Sequence, residues 1–138
     1  MRLRIALLAA ALWWGSLTAL GALYVPLLFK HLGSPAAAGA MAAHLFTAQT
    51  WLSAGCAMVL LLAFNRAEDL QALGRTVVKF VIAGLLLNLL VELALAPRII
   101  SARASGGSLA FWHGLGSAMY LAQWLCSAAV LWRLSRRD

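Results

Sequence analysis

Four long apolar stretches, each about as long as a bilayer is thick, constrain the fold of this chain more than any other feature. They lie at about residues 5–28, 45–64, 77–96 and 109–131 of a 138-residue chain. A membrane-spanning helix needs roughly 20 mostly apolar residues, and each stretch reaches that length. Hydrophobic residues make up 64% of the chain and charged residues only 11%. The sequence therefore predicts a multi-pass integral membrane protein with one domain, residues 1–138.

The four stretches are expected to be helical, because the hydrocarbon core contains no water to satisfy backbone N–H and C=O groups. They do not show the alternating pattern of a membrane barrel. The connections between them are short, which favours antiparallel neighbours. We predict an all-α fold, an up-down four-helix transmembrane bundle.

Turn residues place the helix ends. Gly33 suits a left-handed cap after a first helix that ends near residues 30–31, and Ser34 suits an N-cap before a helix from Pro35 to Phe64. Pro97 is expected to end or kink the third helix, and Ser108 to cap the fourth. Residues 1–22 also resemble a secretory signal. The apolar run continues to residue 28, so we interpret it as the first helix.

The basic residues are distributed unequally between the two sides of the predicted bundle. One side carries eight of them: Arg2, Arg4, Arg66, Arg75, Lys79, Arg133, Arg136 and Arg137. The other side carries only Lys30, Arg98 and Arg103. The positive-inside rule then predicts that both termini are cytoplasmic, in a bacterial-type inner (plasma) membrane. The net charge of +7 is thereby explained by topology and by anionic lipid headgroups, and no nucleic-acid partner is expected.

Glu92 is the only acidic residue within an apolar stretch, and Asn88 lies four residues earlier on the same helical face. A carboxyl in hydrocarbon is costly, so it should face the bundle interior and be protonated or paired. Arg98, His113 or a nearby hydroxyl are the candidate partners. Two interpretations stay open: a proton, metal or substrate site, or a tie between helices.

Other polar residues recur at helical spacing on the second and fourth helices. Those on the fourth share one face: His113, Ser117, Tyr120, Trp124 and Ser127. Gln49, Ser53 and Cys56 form a similar stripe on the second helix. We expect both stripes to point inward, where they join helices or line a small cavity.

Small residues recur at four-residue spacing on the first and fourth helices. The two sets are Ala11, Gly15 and Ala19, and Gly114, Ala118 and Ala122. Such spacing permits close approach between helices. The sequence leaves open whether the two sets face each other or a second subunit.

A metal or haem site is the alternative interpretation of the polar residues. His113, His44 and Glu92 fall on the predicted outer side and could ligate copper or zinc, and the two histidines could bracket a haem. No HExxH motif and no histidine pair at i, i+4 supports it. Catalytic triads, Walker loops and dinucleotide fingerprints are also absent from the sequence. We therefore expect no catalytic residue and no cofactor.

Several short motifs resemble a known family. They are Trp14-Gly15, Pro26-Leu27-Leu28-Phe29, an Ala-Gly segment before Leu45-Phe46, and His113. Together they resemble the transmembrane-protein-205-like family, a four-helix membrane domain of unknown function, with a looser similarity to the membrane domain of copper-resistance D proteins. The resemblance implies no established reaction. It carries over only Gly15, Pro26, Phe29 and His113, as motif matches.

The sequence thus favours a non-enzymatic accessory or assembly subunit of a membrane complex, with a protein partner or a second copy of the chain. An outer-facing metal- or haem-binding protein that uses His113, His44 and Glu92 is the alternative.

Overall fold

The computed structural model describes residues 1–65 and 71–136, and these residues form helices joined by short turns, without a strand. Four helices are long and apolar enough to cross a membrane: span 1 (Arg2–His31), span 2 (Pro35–Ala63), span 3 (Leu73–Ser105) and span 4 (Leu109–Ser135). The predicted all-α class and four spans are confirmed. The spans are 27 to 33 residues long, longer than the apolar stretches that predicted them.

Each span packs against two neighbours, so the four helices form a ring in the order 1, 2, 3, 4. Hydrogen bonds give the relative directions. Along span 3, Asn88 bonds to Thr50 of span 2, and Glu92 bonds to Thr47. Residue numbers rise on one span as they fall on the other, so spans 2 and 3 are antiparallel.

The apolar core fills the half of the bundle where span 1 begins and span 4 ends. Its buried side chains come from all four spans and include Ala6, Ala10, Trp13, Leu17, Ala57, Leu60, Val77, Val81, Val130 and Leu134. Trp13 lies against Gly84 of span 3, and a Cβ built on that glycine would lie 2.7 Å from the indole Cη2. The absence of a side chain at Gly84 therefore makes room for the largest residue of the core.

Spans 1 and 3 each contain a five-residue π-helical segment, at Leu20–Tyr24 and Val91–Leu95. Each segment ends two residues before a proline, Pro26 or Pro97. Proline has no N–H, and its ring clashes with the carbonyl of the preceding turn of an α-helix. The wider turn accommodates the ring, so span 3 continues through Pro97 to Ser105. Of the two expectations for Pro97, the end of the helix near residue 96 was wrong, and the kink stays a prediction.

The predicted caps are partly confirmed. The Ser34 Oγ accepts a hydrogen bond from the Ala37 N–H at 3.1 Å and caps span 2. Span 1 ends at His31, and its capping residue Leu32 is extended. Gly106, with φ 71°, adopts the left-handed conformation that we expected at Gly33. Ser108 precedes span 4, but its side chain makes no capping hydrogen bond.

Two residues of the charge argument, Arg66 and Arg137, lie outside the described residues.

Candidate functional site

Polar side chains from all four spans meet near the middle of the bundle. We call this set the polar belt; its members are Ser16, Thr18, Thr47, Gln49, Thr50, Ser53, Asn88, Glu92, Tyr120, Gln123 and Trp124. Hydrocarbon cannot satisfy a polar group, so the side chains of neighbouring helices must do so. The polar belt therefore joins every pair of neighbouring spans.

Asn88 connects three of the spans. Its Nδ2 donates to the main-chain oxygen of Thr50 on span 2 at 3.2 Å, and its Oδ1 accepts from the Gln123 Nε2 of span 4 at 3.0 Å. Asn88 is 4% exposed and Gln123 is 3% exposed. Because both side chains are buried, the Asn88 Oδ1 and the Gln123 Nε2 depend on each other for this hydrogen bond.

Gln49 connects spans 1 and 2. Its Nε2 donates to the Ser16 Oγ at 2.9 Å and to the Ser53 Oγ of its own helix at 3.1 Å. All three members of the predicted span 2 stripe, Gln49, Ser53 and Cys56, are buried. That stripe points inward as predicted, and Gln49 bonds to span 1.

Tyr120 and Trp124 connect span 4 to span 1. The Tyr120 hydroxyl donates to the main-chain oxygen of Leu17 at 2.6 Å, and the Trp124 Nε1 donates to the Thr18 Oγ1 at 2.8 Å. Leu17 lies just before the π-helical segment Leu20–Tyr24, where the regular backbone pattern changes. The Tyr120 hydroxyl supplies that carbonyl with a hydrogen bond from a neighbouring helix.

The predicted polar face of span 4 points inward only in part. Tyr120 and Trp124 are partly buried and Ser127 is buried, whereas His113 and Ser117 are exposed. The residues of this face nearer the C-terminal end of span 4 join the polar belt or are buried, and those nearer its N-terminal end lie at the surface.

Glu92 lies at the rim of the polar belt, between spans 2 and 3. Its Oε1 accepts from the Thr47 Oγ1 at 2.9 Å, and its Oε2 lies 3.5 Å from the Thr50 Oγ1. Glu92 is partly exposed, and its neighbour Leu93 is 73% exposed. Of the three predicted kinds of partner, the structure selects hydroxyls. The carboxyl lies at the edge of the bundle, and not in its interior as expected.

The residues of the metal alternative do not form a metal site within the described part of the chain. In residues 1–65 and 71–136 there is no group of three or more His, Cys, Asp or Glu that could hold a metal ion. His44 and His113 are both exposed. The guanidinium of Arg98, another predicted partner of Glu92, lies 5.1 Å from the centre of the Trp112 ring.

Sequence reasoning did not identify Gln123, Thr47 or Thr50 as partners. Gln123 carried a signal, because an amide in the middle of an apolar span requires a partner. Thr47 and Thr50 gave no such signal, since the hydroxyl of a helical threonine often bonds to the backbone of its own helix. Thr50 does so as well, donating to the Phe46 carbonyl at 3.1 Å.

The repeated small residues face outward only in part, since Gly15, Ala19 and Ala122 are partly buried. Gly114, Ala118 and Ala11 are exposed. A Cβ built on Gly15 or on Gly114 meets no described atom within 4 Å. These residues therefore leave space on the outside of the bundle, unlike Gly84, which makes room inside it.

Comparison with known proteins adds a family. The model of a family described as a domain of unknown function, DUF4149, matches residues 8–108. This match covers most of spans 1 to 3 and more than half of the chain. No curated protein and no solved structure matches the chain. The chain belongs to the DUF4149 family, whose function is unknown.

Proposed function

We propose that this protein is a non-enzymatic accessory or assembly subunit of a membrane complex. The observation that carries the proposal is an outward patch of small residues on span 4, formed by Gly114 and Ala118 one helical turn apart; we call it the small-residue face. Helices in a membrane gain little from hydrophobic association and depend instead on close van der Waals packing. A glycine on the outer surface of a span allows such packing with a further helix.

The surroundings of the small-residue face support this role. Gly114 and Ala118 are exposed, and a Cβ built on Gly114 meets no described atom within 4 Å. Phe111 is 59% exposed and Leu121 is 56% exposed. These large side chains stand beside a stretch of nearly bare backbone. Such a shape can accept a partner helix without any change inside the bundle.

The polar belt supports a structural role for the interior. Asn88, Gln123 and Gln49 direct their amides at one another or at neighbouring spans. These contacts join helices of one chain, which is what a stable scaffold for a partner requires.

The proposal also includes the orientation of the protein in the membrane, its cellular location and its relationship to a more specific family. Arg2, Arg4, Arg133 and Arg136 are exposed at the end of the bundle where span 1 begins and span 4 ends. We place that end in the cytoplasm of a bacterial-type inner membrane, next to anionic headgroups. The Trp14-Gly15 and Pro26 motifs support a relationship to the transmembrane-protein-205-like family.

The test compares two leucine variants. Gly114→Leu fills the small-residue face, whereas Gly55→Leu adds the same side chain on span 2 at a glycine whose Cβ also meets no described atom within 4 Å. Gly55 is flanked one turn away by Trp51 and Val59, so it offers no flat surface. The matched control therefore reports the effect of leucine alone.

Tagged protein is extracted with its surrounding lipids, and the associated membrane proteins are quantified, with a second tag to detect another copy of the chain. We expect wild type and Gly55→Leu to retain the same partner or second copy. Gly114→Leu should bind about tenfold less tightly, equivalent to about 1.4 kcal/mol. A wild-type protein that is strictly monomeric, or equal binding by both variants, would contradict the proposal.

A further inference from the structure

We propose that the groove between the beginning of span 1 and the end of span 2 binds one anionic phospholipid, with the lipid phosphate at the Arg2 guanidinium and an acyl chain along Ile5 and Leu62. This site shares no residue with the small-residue face. It is also more specific than a general attraction between basic residues and headgroups, because it assigns one lipid to one groove.

The groove lies at the end of the bundle where span 1 begins. Its volume is about 290 Å³, and it is lined by Arg2, Ile5, Val59, Leu62, Ala63 and Asn65. Pockets for small molecules usually enclose about 300–1,000 Å³. The groove therefore has room for a headgroup phosphate and the first part of one chain, while the rest of the lipid stays in the bilayer.

The polarity of the groove changes along the bundle axis. Arg2 and Asn65 are exposed at the end of the bundle. Ile5 lies about 4.5 Å further in along span 1, and Val59 lies about 6 Å in from Ala63, the last residue of span 2. A phospholipid in a bilayer has the same order, with the charged phosphate outermost and the apolar chains beneath it.

The apolar wall of the groove is open to the membrane. Ile5 is 45% exposed, Val59 is 37% exposed and Leu62 is 63% exposed. An acyl chain can lie against these side chains without any change inside the bundle. Hydrocarbon covers other exposed apolar residues of the spans equally well, so preference for one lipid has to come from the polar end of the groove.

Arg2 supplies the charge at the polar end. Its guanidinium has five N–H donors and stays protonated. No hydrogen bond or ion pair joins it to another residue in the described part of the chain. A phosphate accepts two parallel N–H bonds from a guanidinium, a strong and directional contact. The Asn65 amide at the same end can donate a further hydrogen bond to the phosphate.

The surrounding charges favour an anion at this end of the bundle. The neighbouring exposed charges are all basic: Arg4, Arg133 and Arg136. Within residues 1–65 and 71–136 the only acidic residue is Glu92, which bonds to Thr47 at the rim of the polar belt. The other three acids, Glu68, Asp69 and Asp138, lie outside the described residues. The groove thus complements a negative headgroup.

The first experiment compares two lipids with the same chains. The full chain in neutral detergent micelles is titrated with phosphatidylglycerol or phosphatidylcholine, and native mass spectrometry measures the affinity for the first bound lipid. We expect phosphatidylglycerol, which is anionic, to bind about tenfold more tightly than the zwitterionic lipid. Equal affinity for the two lipids would overturn the proposal.

Two glutamine variants separate a site from a general attraction. Arg2→Gln should weaken phosphatidylglycerol binding about tenfold, because it removes the contact to the phosphate. Arg4→Gln removes the same charge, but Arg4 does not line the groove and lies about 200° around the helix from Arg2. At about 0.15 M salt such a charge is largely screened, so its loss should weaken binding less than about threefold. Equal losses in both variants would overturn the proposal.

Two tryptophan variants test the position of the acyl chain. Leu62→Trp fills the groove, whereas Met58→Trp adds the same side chain one turn earlier, at a residue that is 58% exposed and does not line the groove. Leu62→Trp should weaken phosphatidylglycerol binding about tenfold, and Met58→Trp should leave it unchanged. Equal affinity of the two variants would contradict the site. Circular dichroism checks that each variant keeps its helices.

The last measurement separates a lipid from a free phosphate. Glycerol 3-phosphate has a phosphate but no acyl chain, so an excess of it should not displace phosphatidylglycerol. Displacement would show that the groove recognises the phosphate alone, and the assignment to a lipid would be wrong. Micelles have no cytoplasmic side, and Gly114 lies outside the groove. These results therefore do not depend on the proposed orientation or subunit role.

Discussion

At the scale of residues, the mutual dependence of Asn88 and Gln123 leads to a prediction about stability. Gln123→Leu removes the donor to the Asn88 Oδ1 and leaves a buried acceptor without a partner. We expect the free energy of unfolding to fall by about 1–3 kcal/mol. It is measured by titrating the protein in a mild detergent with a denaturing one. Leu125→Ala, at a residue of the same span that is 54% exposed, is the control and should have a smaller effect.

A double-mutant cycle identifies the origin of that loss. If the two amides act as a pair, Asn88→Leu and Gln123→Leu together should cost less than the sum of the single changes. Direct cycles between transmembrane helices give about 0.6 kcal/mol on average, and up to about 1.7 kcal/mol. Strict additivity would show that the amides do not depend on each other.

The sequence alone could predict that Asn88, Gln49, Tyr120 and Glu92 are important, because polar groups are rare in apolar spans and must find partners. It could not predict the partners. Those depend on the rotation of each helix about its axis, which the apolar pattern of a membrane helix leaves undetermined when lipid and core are both apolar. Glu92 therefore lies at the rim with Thr47, and not beside His113.

At the scale of elements, Trp13 of span 1 packs directly on Gly84 of span 3. An alanine Cβ there would come within 2.7 Å of the indole, and Trp13 is fully buried. Overpacking of a filled core typically costs about 1–3 kcal/mol. We expect Gly84→Ala to lower detergent stability by such an amount.

Gly55→Ala is the matched control, since its Cβ meets no described atom within 4 Å. Alanine has the higher helix propensity, so this variant should be neutral or slightly more stable. Equal losses in Gly84→Ala and Gly55→Ala would contradict the packing described for Trp13.

The π-helical segments show where prediction of the elements failed. Pro97 lacks the N–H of a regular helix, so the sequence predicted an end or a kink near residue 96. Before the proline the backbone shifts to the i→i−5 hydrogen bonds of a π-helix, in which the Ala96 N–H donates to the Val91 carbonyl. This shift allows the helix to continue. Local sequence could not distinguish a break from this shift, because the same proline is compatible with both.

At the scale of the whole molecule, the length and composition of the apolar stretches were sufficient to predict four helical spans. Orientation in the membrane is a prediction of the charge distribution. A reporter that is active only in the cytoplasm should therefore be active when it is fused after Arg137. A cysteine placed at Gly106, at the turn before span 4, should react with an impermeant thiol reagent added from outside. Labelling of that cysteine only from the cytoplasmic side would reverse the orientation.

The measurement that tests the proposed subunit role most directly is the mass of the intact particle, taken from the membrane with its own lipids and without detergent. We predict a defined mass greater than the 14.7 kDa chain and its lipids, which accounts for a stoichiometric protein partner or a second copy. In Gly114→Leu this mass should fall to that of the single chain. A wild-type particle that contains one chain and lipid alone would contradict the account.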